Sequence, residues 1–265
     1  MTHGTIGKVV SVFALLAALG LQAACTSDSG NTAVGTGGAP GMGGTLGGGS
    51  GGTAGGQDLT VGSGTPGPCT ASETIVAPTN GLIADFTDPD GGINFVGGGI
   101  LAYPVGSTTA PTYTTSGGSL HITLDRPTTS APQYLGVVLA GRNSCVDATA
   151  FTGVEFTISG SFSGCTMHYY ANDDAHQDVT SGAPRASGPE GSYPPQTVIT
   201  ANQITPTPKT MKMPFSGQSG GSPATPVDPA RLIVVGGWQF DVDATTSNEQ
   251  GSCIADLTIE DVRFY

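Results

Sequence analysis

The stretch GVEFTIS, residues Gly153–Ser159, alternates strictly: Val154, Phe156 and Ile158 fall on one side, Glu155 and Thr157 on the other. Period-two alternation built from β-branched and aromatic residues is the pattern of a half-buried β-strand. SLHITL, Ser119–Leu124, repeats it, with Leu120, Ile122 and Leu124 set against His121 and Thr123. Seven further runs have the same character: Leu82–Phe86 (LIADF), Tyr134–Ala140 (YLGVVLA), Cys165–Ala171 (CTMHYYA), Thr197–Thr200 (TVIT), Thr210–Pro214 (TMKMP), Leu232–Asp241 (LIVVGGWQFD) and Ile254–Phe264 (IADLTIEDVRF). No segment sustains the apolar period of about 3.6 residues that marks an amphipathic helix. Between Cys69 and Tyr265 there are 23 Gly and 16 Pro, which punctuate the chain between the runs. Nine short strands with frequent turns imply an all-β domain over residues 69–265: an antiparallel β-sandwich of two sheets, a jelly roll.

Within that frame, Leu232–Val235 is apolar on both phases and belongs at the centre of a sheet. The last run breaks phase. Leu257 and Ile259 share one face, Val262 and Phe264 the opposite one, and a bulge at Glu260–Asp261 restores the alternation. Two short helical turns are expected, over Ala148–Phe151 after Asp147 and at Asp228 followed by Pro229.

The segment before the domain reads differently. Lys8 precedes the apolar run Val9–Leu21, followed by Ala23, Ala24 and Cys25. Thirteen residues reach about 20 Å as a helix, short of a hydrocarbon core of about 30 Å, so residues 1–24 read as a secretory signal peptide. The small residues before Cys25 resemble the lipobox of bacterial lipoproteins, with Gln22 where Leu is usual and Leu21 one position earlier. That resemblance implies lipidation of Cys25; the alternative is cleavage near Ala24 that leaves Cys25 a free thiol. Residues 26–68 hold 17 Gly and almost no large apolar side chain, so residues 25–68 form a disordered Gly/Ser/Thr-rich linker with too little to bury. Such a coil spans about 35–40 Å on average and would hold a domain clear of a membrane.

Charge excludes one partner class. The net charge is −12 and the eight Lys and Arg are scattered singly, so no basic patch can neutralise nucleic-acid phosphates. Four cysteines remain in the domain: Cys69, Cys145, Cys165 and Cys253. Three pairings are open, and export favours bonding. Cys165 with Cys253 is favoured because each sits at a strand start beside a Gly/Ser turn, which leaves Cys69 with Cys145. A metal site made from them is the weaker reading, since no two lie within four residues of each other.

Taken in order, LIADF (Leu82–Phe86), CVDATAFTGVEFTISG (Cys145–Gly160), DPARLIVVGGWQF (Asp228–Phe240) and IADLTIEDVRFY (Ile254–Tyr265) resemble the family-eleven carbohydrate-binding modules of exported bacterial proteins and the galactose-binding-like jelly rolls akin to them. The resemblance runs from about residue 80 to the C-terminus. It implies a non-catalytic glycan-binding domain with a concave face built from strands, and often a structural calcium. It transfers no ligand-contacting residue.

Candidate residues come from chemistry. Sugar recognition needs aromatic faces and a few directional hydrogen bonds, and Trp238, Tyr170, Tyr134, Tyr103 and Tyr113 can supply the rings. On the strand Cys165–Ala171, Cys165, Met167 and Tyr169 form the apolar set, which leaves His168 and Tyr170 on the other face. Trp238 follows Gly236–Gly237, where a bulge could expose it; core packing is an equal alternative. The densest polar cluster, HYYANDDAHQD at His168–Asp178, could ligate a metal through His168, Asp173, Asp174, His176 and Asp178, although a solvated loop is the plainer reading. In the family resembled, this loop borders the binding face, which keeps Asp173 as a glycan contact. Asp85 in the first apolar run and Asp261 in the last could share one Ca2+ if those strands adjoin. For catalysis, G-x-S-x-G occurs at Gly48–Gly52 and Gly217–Gly221 but without the strand-to-helix setting of a nucleophile elbow, and there is no H-E-x-x-H.

The reading is therefore an exported protein of the bacterial cell envelope, an outer-membrane lipoprotein held to the membrane only through its lipid anchor. It is not an enzyme, and its partner is a polysaccharide or glycoconjugate. Two alternatives stay open: a structural or adhesin-like module that binds protein without sugar affinity, and a polysaccharide-active hydrolase.

Overall fold

The computed structural model describes residues 68–87, 99–104, 109–127, 132–140, 144–181, 185–242 and 252–265. The signal segment, Cys25 and all of the linker but its last residue lie outside the described residues. Among those described, no helix is long and apolar enough to cross a membrane.

The described residues contain thirteen strands: β1 (Thr74–Val76), β2 (Leu82–Ala84), β3 (Gly99–Tyr103), β4 (Thr112–Ser116), β5 (Ser119–Pro127), β6 (Gln133–Ala140), β7 (Cys145–Asp147), β8 (Gly153–Ser163), β9 (Thr166–Asp173), β10 (Thr197–Ile199), β11 (Lys209–Pro214), β12 (Leu232–Val242) and β13 (Ser252–Phe264). They form the two sheets of a sandwich. In the first sheet β12 is central, with β6 and then β3 on one side and β9 and then β10 on the other. At the start of β12, β7 continues the line of β6, and β1 adds to β7 as a parallel pair. In the second sheet β13 is central, flanked by β8 and β11 on one side and by β5 and β4 on the other, and β2 joins its end.

The cores of both sheets meet between them. Trp238, Tyr169, Phe156 and Phe240 are fully buried there. The Phe156 ring centre lies 5.2 Å from both Tyr169 and Trp238, edge-on to the indole. Such ring pairs add about 0.5–1.5 kcal/mol each beyond the area they bury.

Two bulges set which residues reach this core. In β13, Cys253, Ala255, Leu257 and Ile259 point inward on odd positions, whereas Val262 and Phe264 do so on even ones. The register shifts between Glu260 and Arg263, and Asp261 takes φ 50° there, so the extra residue falls where the phase break required it. In β12, Val235 faces the core, and so do Trp238, Phe240 and Val242. The register slips around Gly236–Gly237, and that slip rotates Trp238 inward. Of the two alternatives for Trp238, the bulge therefore gives core packing: the indole is buried, not displayed.

Four strands escape the sequence pattern. β4 (TYTTS) is polar on nearly every position, β3 (GILAY) is apolar on both phases, and β1 and β7 have three residues each. The turn expected after Asp147 is not helical. Its carboxylate Oδ1 accepts from the Thr149 backbone N–H (3.0 Å) and hydroxyl (2.7 Å), which closes a side-chain turn directly after β7. At Pro229–Arg231 a single 3-10 turn does form, capped by Asp228 Oδ1 accepting from Ala230 N–H at 3.0 Å.

Two disulfides close the fold, Cys69–Cys145 and Cys165–Cys253. The second joins the entry to β9 in one sheet to β13 in the other. The first pins the chain ahead of β1 to β7.

Candidate functional site

The outward face of the first sheet carries three rows of side chains in register. The middle row crosses five strands: Tyr103 (β3), Gly136 (β6), Gln239 (β12), His168 (β9) and Val198 (β10). Beside it run Tyr134, Asp241 and Thr166. On its other side run Leu101, Val138, Gly237 and Tyr170. β9 alternates as its sequence demands: Met167, Tyr169 and Ala171 enter the core, so His168 and Tyr170 face out.

A chain of hydrogen bonds ties the rows together. The Tyr170 hydroxyl donates to the Tyr103 hydroxyl (3.3 Å), and Tyr103 donates to Gln239 Oε1 (2.9 Å). Gln239 Nε2 donates to Asp241 Oδ1 (2.7 Å), and His168 Nε2 stands 3.1 Å from Asp241 Oδ2. Burial pushes the Tyr103 phenol well above the usual tyrosine range, and the adjoining Tyr170 and the Asp241 charge add to this. Burial likewise pushes Tyr170 up to about 12, against the opposing effect of its bond to Tyr103. Both phenols are therefore neutral O–H donors at neutral pH. Tyr134 is 59% exposed beside this network, and the His168 and Asp241 side chains keep 15% and 23% of their surface in solvent.

Of the residues singled out from sequence, Tyr103, Tyr134, His168 and Tyr170 come together on this face. Three others do not. Trp238 packs in the core, for the reason of phase given above. Tyr113 lies on β4 in the other sheet, packs against the core and donates its hydroxyl to the Ile100 carbonyl at 2.8 Å. Asp173 is buried, because its carboxylate organises the chain after β9.

That carboxylate makes the run His168–Asp178 a buried latch, not a solvated loop. Asp173 Oδ1 accepts from His176 N–H (2.9 Å) and lies 2.7 Å from His176 Nδ1, while Oδ2 accepts from Asp228 N–H (2.7 Å). Asp174 takes the Cys69 backbone N–H at 2.8 Å and the Arg231 guanidinium. The Thr225 hydroxyl lies 3.2 Å from His176 Nε2, so Asp173, His176 and Thr225 have the outline of a nucleophile relay. The same Nε2 faces the carbonyl oxygens of Pro223 and Thr225, both at 3.1 Å. Carbonyls only accept, so Nε2 carries the hydrogen and cannot take a proton from Thr225. With its carboxylates held by backbone N–H groups and a guanidinium, the run offers no metal cage. Among the described residues no group of three or more His, Cys, Asp or Glu is placed to hold an ion.

Asp85 and Asp261 flank the Ala84–Val262 pair that joins β2 to β13, so the first and last apolar runs do adjoin. Asp85 Oδ1 accepts from the Thr87 N–H (3.1 Å) and hydroxyl (2.7 Å), and Asp261 Oδ1 accepts from the Arg263 guanidinium. Calcium takes six to eight oxygens, so these two carboxylates, with four between them, would need backbone carbonyls or water to complete a shell.

Gln239 and Asp241 were not among the sequence candidates. Their signal was present: they alternate with Trp238 and Phe240, so once the indole is assigned to the core, both polar side chains must face out.

No protein-family profile and no curated protein sequence matches the chain. Among solved structures it is similar to the family 11 carbohydrate-binding module of the cellulosomal cellulase Lic26A-Cel5E of Clostridium thermocellum, with 14% identity and a TM-score of 0.36 over 68% of this chain and 93% of that one. A family 11 module from Clostridium thermocellum in complex with a β-1,3-1,4-mixed-linked tetrasaccharide gives 14% and 0.36 over 68% and 94%. The N-terminal cellulose-binding domain of Cellulomonas fimi β-1,4-glucanase C gives 18% and 0.30 over 63% and 88%.

Proposed function

We propose that this protein binds an uncharged glycan, without catalysis, on the outward face of its first sheet. The observation that carries this is the hydrogen-bonded row Tyr103–Gln239–Asp241–His168 lying beside the exposed ring of Tyr134. Glycan recognition combines an apolar ring face with fixed polar groups, and this surface has both. Tyr103 occupies Gln239 Oε1, so the amide nitrogen must face Asp241 and its second N–H stays a donor. Asp241 accepts from Gln239 on one oxygen, faces His168 with the other, and keeps lone pairs for further donors. A donor and an acceptor two residues apart on one strand suit two hydroxyls of a sugar ring. None of the residues in the three rows is Lys or Arg, which disfavours an anionic polymer. They include a single carboxylate, whereas glycoside hydrolysis uses two facing ones.

The sequence supplies the setting. Lipidation at Cys25 would hold the protein to the cell envelope, with the Gly-rich segment as a spacer. Two disulfides suit an oxidising, extracytoplasmic compartment. The partner is then a polysaccharide or glycoconjugate, and no nucleic acid.

The test is migration through native gels that contain soluble polysaccharide, beginning with mixed-linked β-1,3-1,4-glucan and extending across neutral and acidic polymers. The protein is expected to be slowed by at least one neutral polymer, to release no reducing sugar from it, and to lose the retardation on Tyr134→Ala and on Asp241→Ala. Retardation that survives both substitutions, or none on any polymer, overturns the proposal.

A further inference from the structure

We infer that Gly237 and Gly136 are positioning residues of this face, a reading that rests on its glycan-binding role. At each of them a tyrosine from a neighbouring strand lies across the backbone. Tyr170 stands on β9, and its ring lies over β12 at Gly237. A Cβ at Gly237 would sit 2.7, 2.9 and 3.0 Å from three Tyr170 ring carbons, and nothing else is as near. Tyr103 stands on β3 and crosses β6 at Gly136, where a Cβ would meet its hydroxyl at 2.4 Å and its ring at 2.5 Å. The Trp238 carbonyl oxygen would also lie 2.6 Å from that Cβ, so Gly136 is needed by the backbone as well. Contacts under 3.0 Å cannot be accommodated without displacing the ring. A glycine inside a strand weakens it, and it is kept where another group must approach the backbone closely.

The two tyrosines, coming from opposite flanks, meet hydroxyl to hydroxyl above the middle of the sheet. Their bridge delivers the Tyr103 proton to Gln239 Oε1, which fixes the amide and turns its nitrogen onto Asp241. Gly237 thus governs the Asp241 carboxylate through three successive hydrogen bonds without facing a ligand itself. It has no positive φ, so alanine suits its backbone and only the Tyr170 ring excludes it.

The test is a double-mutant cycle on the full chain with Gly237→Ala and Tyr103→Phe, read by affinity for whichever polysaccharide retards the wild type. Each single variant is expected to lose about tenfold in affinity, and the double variant no more than either alone, because both break the same chain of bonds. Losses that multiply, or a Gly237→Ala variant within about twofold of wild type, overturn the inference. A second readout needs no ligand. In ultraviolet titration of phenolate absorbance, Gly237→Ala is expected to return one late-ionising tyrosine toward the ordinary range, and an unchanged titration contradicts the bridge. If the wild type binds no polysaccharide, the proposed function fails, while the titration still decides whether Gly237 seats Tyr170.

Discussion

The two outward faces of the sandwich are built on the same antiparallel lattice and carry opposite chemistry. On the second sheet, Thr112, Thr123, Asp256 and Ser161 form one row, Thr114, His121, Thr258 and Ser159 the next, and Ser116, Ser119, Glu260, Thr157 and Thr210 a third. Several of these side chains bond to one another across neighbouring strands. Thr112 meets Thr123 at 2.5 Å, Thr157 meets Thr210 at 3.3 Å and His121 meets Asp256 at 2.7 Å. No Phe, Tyr or Trp and no glycine stands in those rows. On the first sheet, glycines at 136 and 237 open the lattice, and tyrosines lie across it and link four strands. Register alone gives a sheet polar pairs; a second layer forms only where a strand gives up its Cβ.

The largest expected effect acts on both faces at once. Removing Cys165–Cys253, as Cys165→Ser with Cys253→Ser, opens a bridge over 88 residues between the two sheets. Chain-entropy reasoning puts the cost at about 4.6 kcal/mol. Denaturant unfolding should show one cooperative transition with a markedly lower midpoint, and a loss below about 1 kcal/mol contradicts this role.

The next effect separates the faces. Asp241→Ala removes a charged acceptor, and losing such a hydrogen bond costs about 2 kcal/mol, or roughly 30-fold in affinity. Thr258→Ala, at the matching central position of the other face, should leave affinity within about twofold. Equal losses in the two variants would erase the distinction drawn here.

An alkaline titration separates them without a ligand. Tyr170 is raised from 10.0 to about 12 in the folded protein, and Tyr103 is raised too. Below pH 10 both folded and unfolded chains hold these phenols neutral, and the stability they contribute is present in full. Above it the unfolded chain ionises first and binds fewer protons, so stability falls as pH rises through about 12. Tyr170→Phe should flatten that decline; a slope unchanged by the substitution counts against the buried bridge.

The smallest expected effect belongs to the second sheet. We propose that calcium binds where β2 meets β13, near Asp85 and Asp261. If so, adding calcium to EDTA-treated protein raises its melting temperature by a few degrees through native-state binding and leaves glycan retardation unchanged. No shift at millimolar calcium disposes of that ion.

Much of this architecture was legible as alternation. The phase break before Val262 located the bulge of β13, and the all-apolar LIVV located the central strand of the first sheet. The tyrosine–histidine face of β9 followed from the same counting. Trp238 was harder, because Gly236–Gly237 announces a bulge but not its direction; the direction depends on which neighbours β12 pairs with across both sides. The latch of Asp173 and His176 was hidden for a related reason. Its partners, Asp228, Pro223 and Thr225, lie some fifty residues away, and only the folded chain turns a polar run into a buried one. β4 offered hydroxyls on both phases and so carried no pattern to read.

The central claim is that one face binds glycan and the other does not, and amide NMR of the full chain titrated with a retained oligosaccharide tests it most directly. The account predicts that shift changes gather at Tyr134, Gly136, His168, Gly237, Gln239 and Asp241, with Thr123, Ser159 and Thr258 unmoved. Changes centred on those second-sheet residues, or spread evenly over both faces, would contradict it.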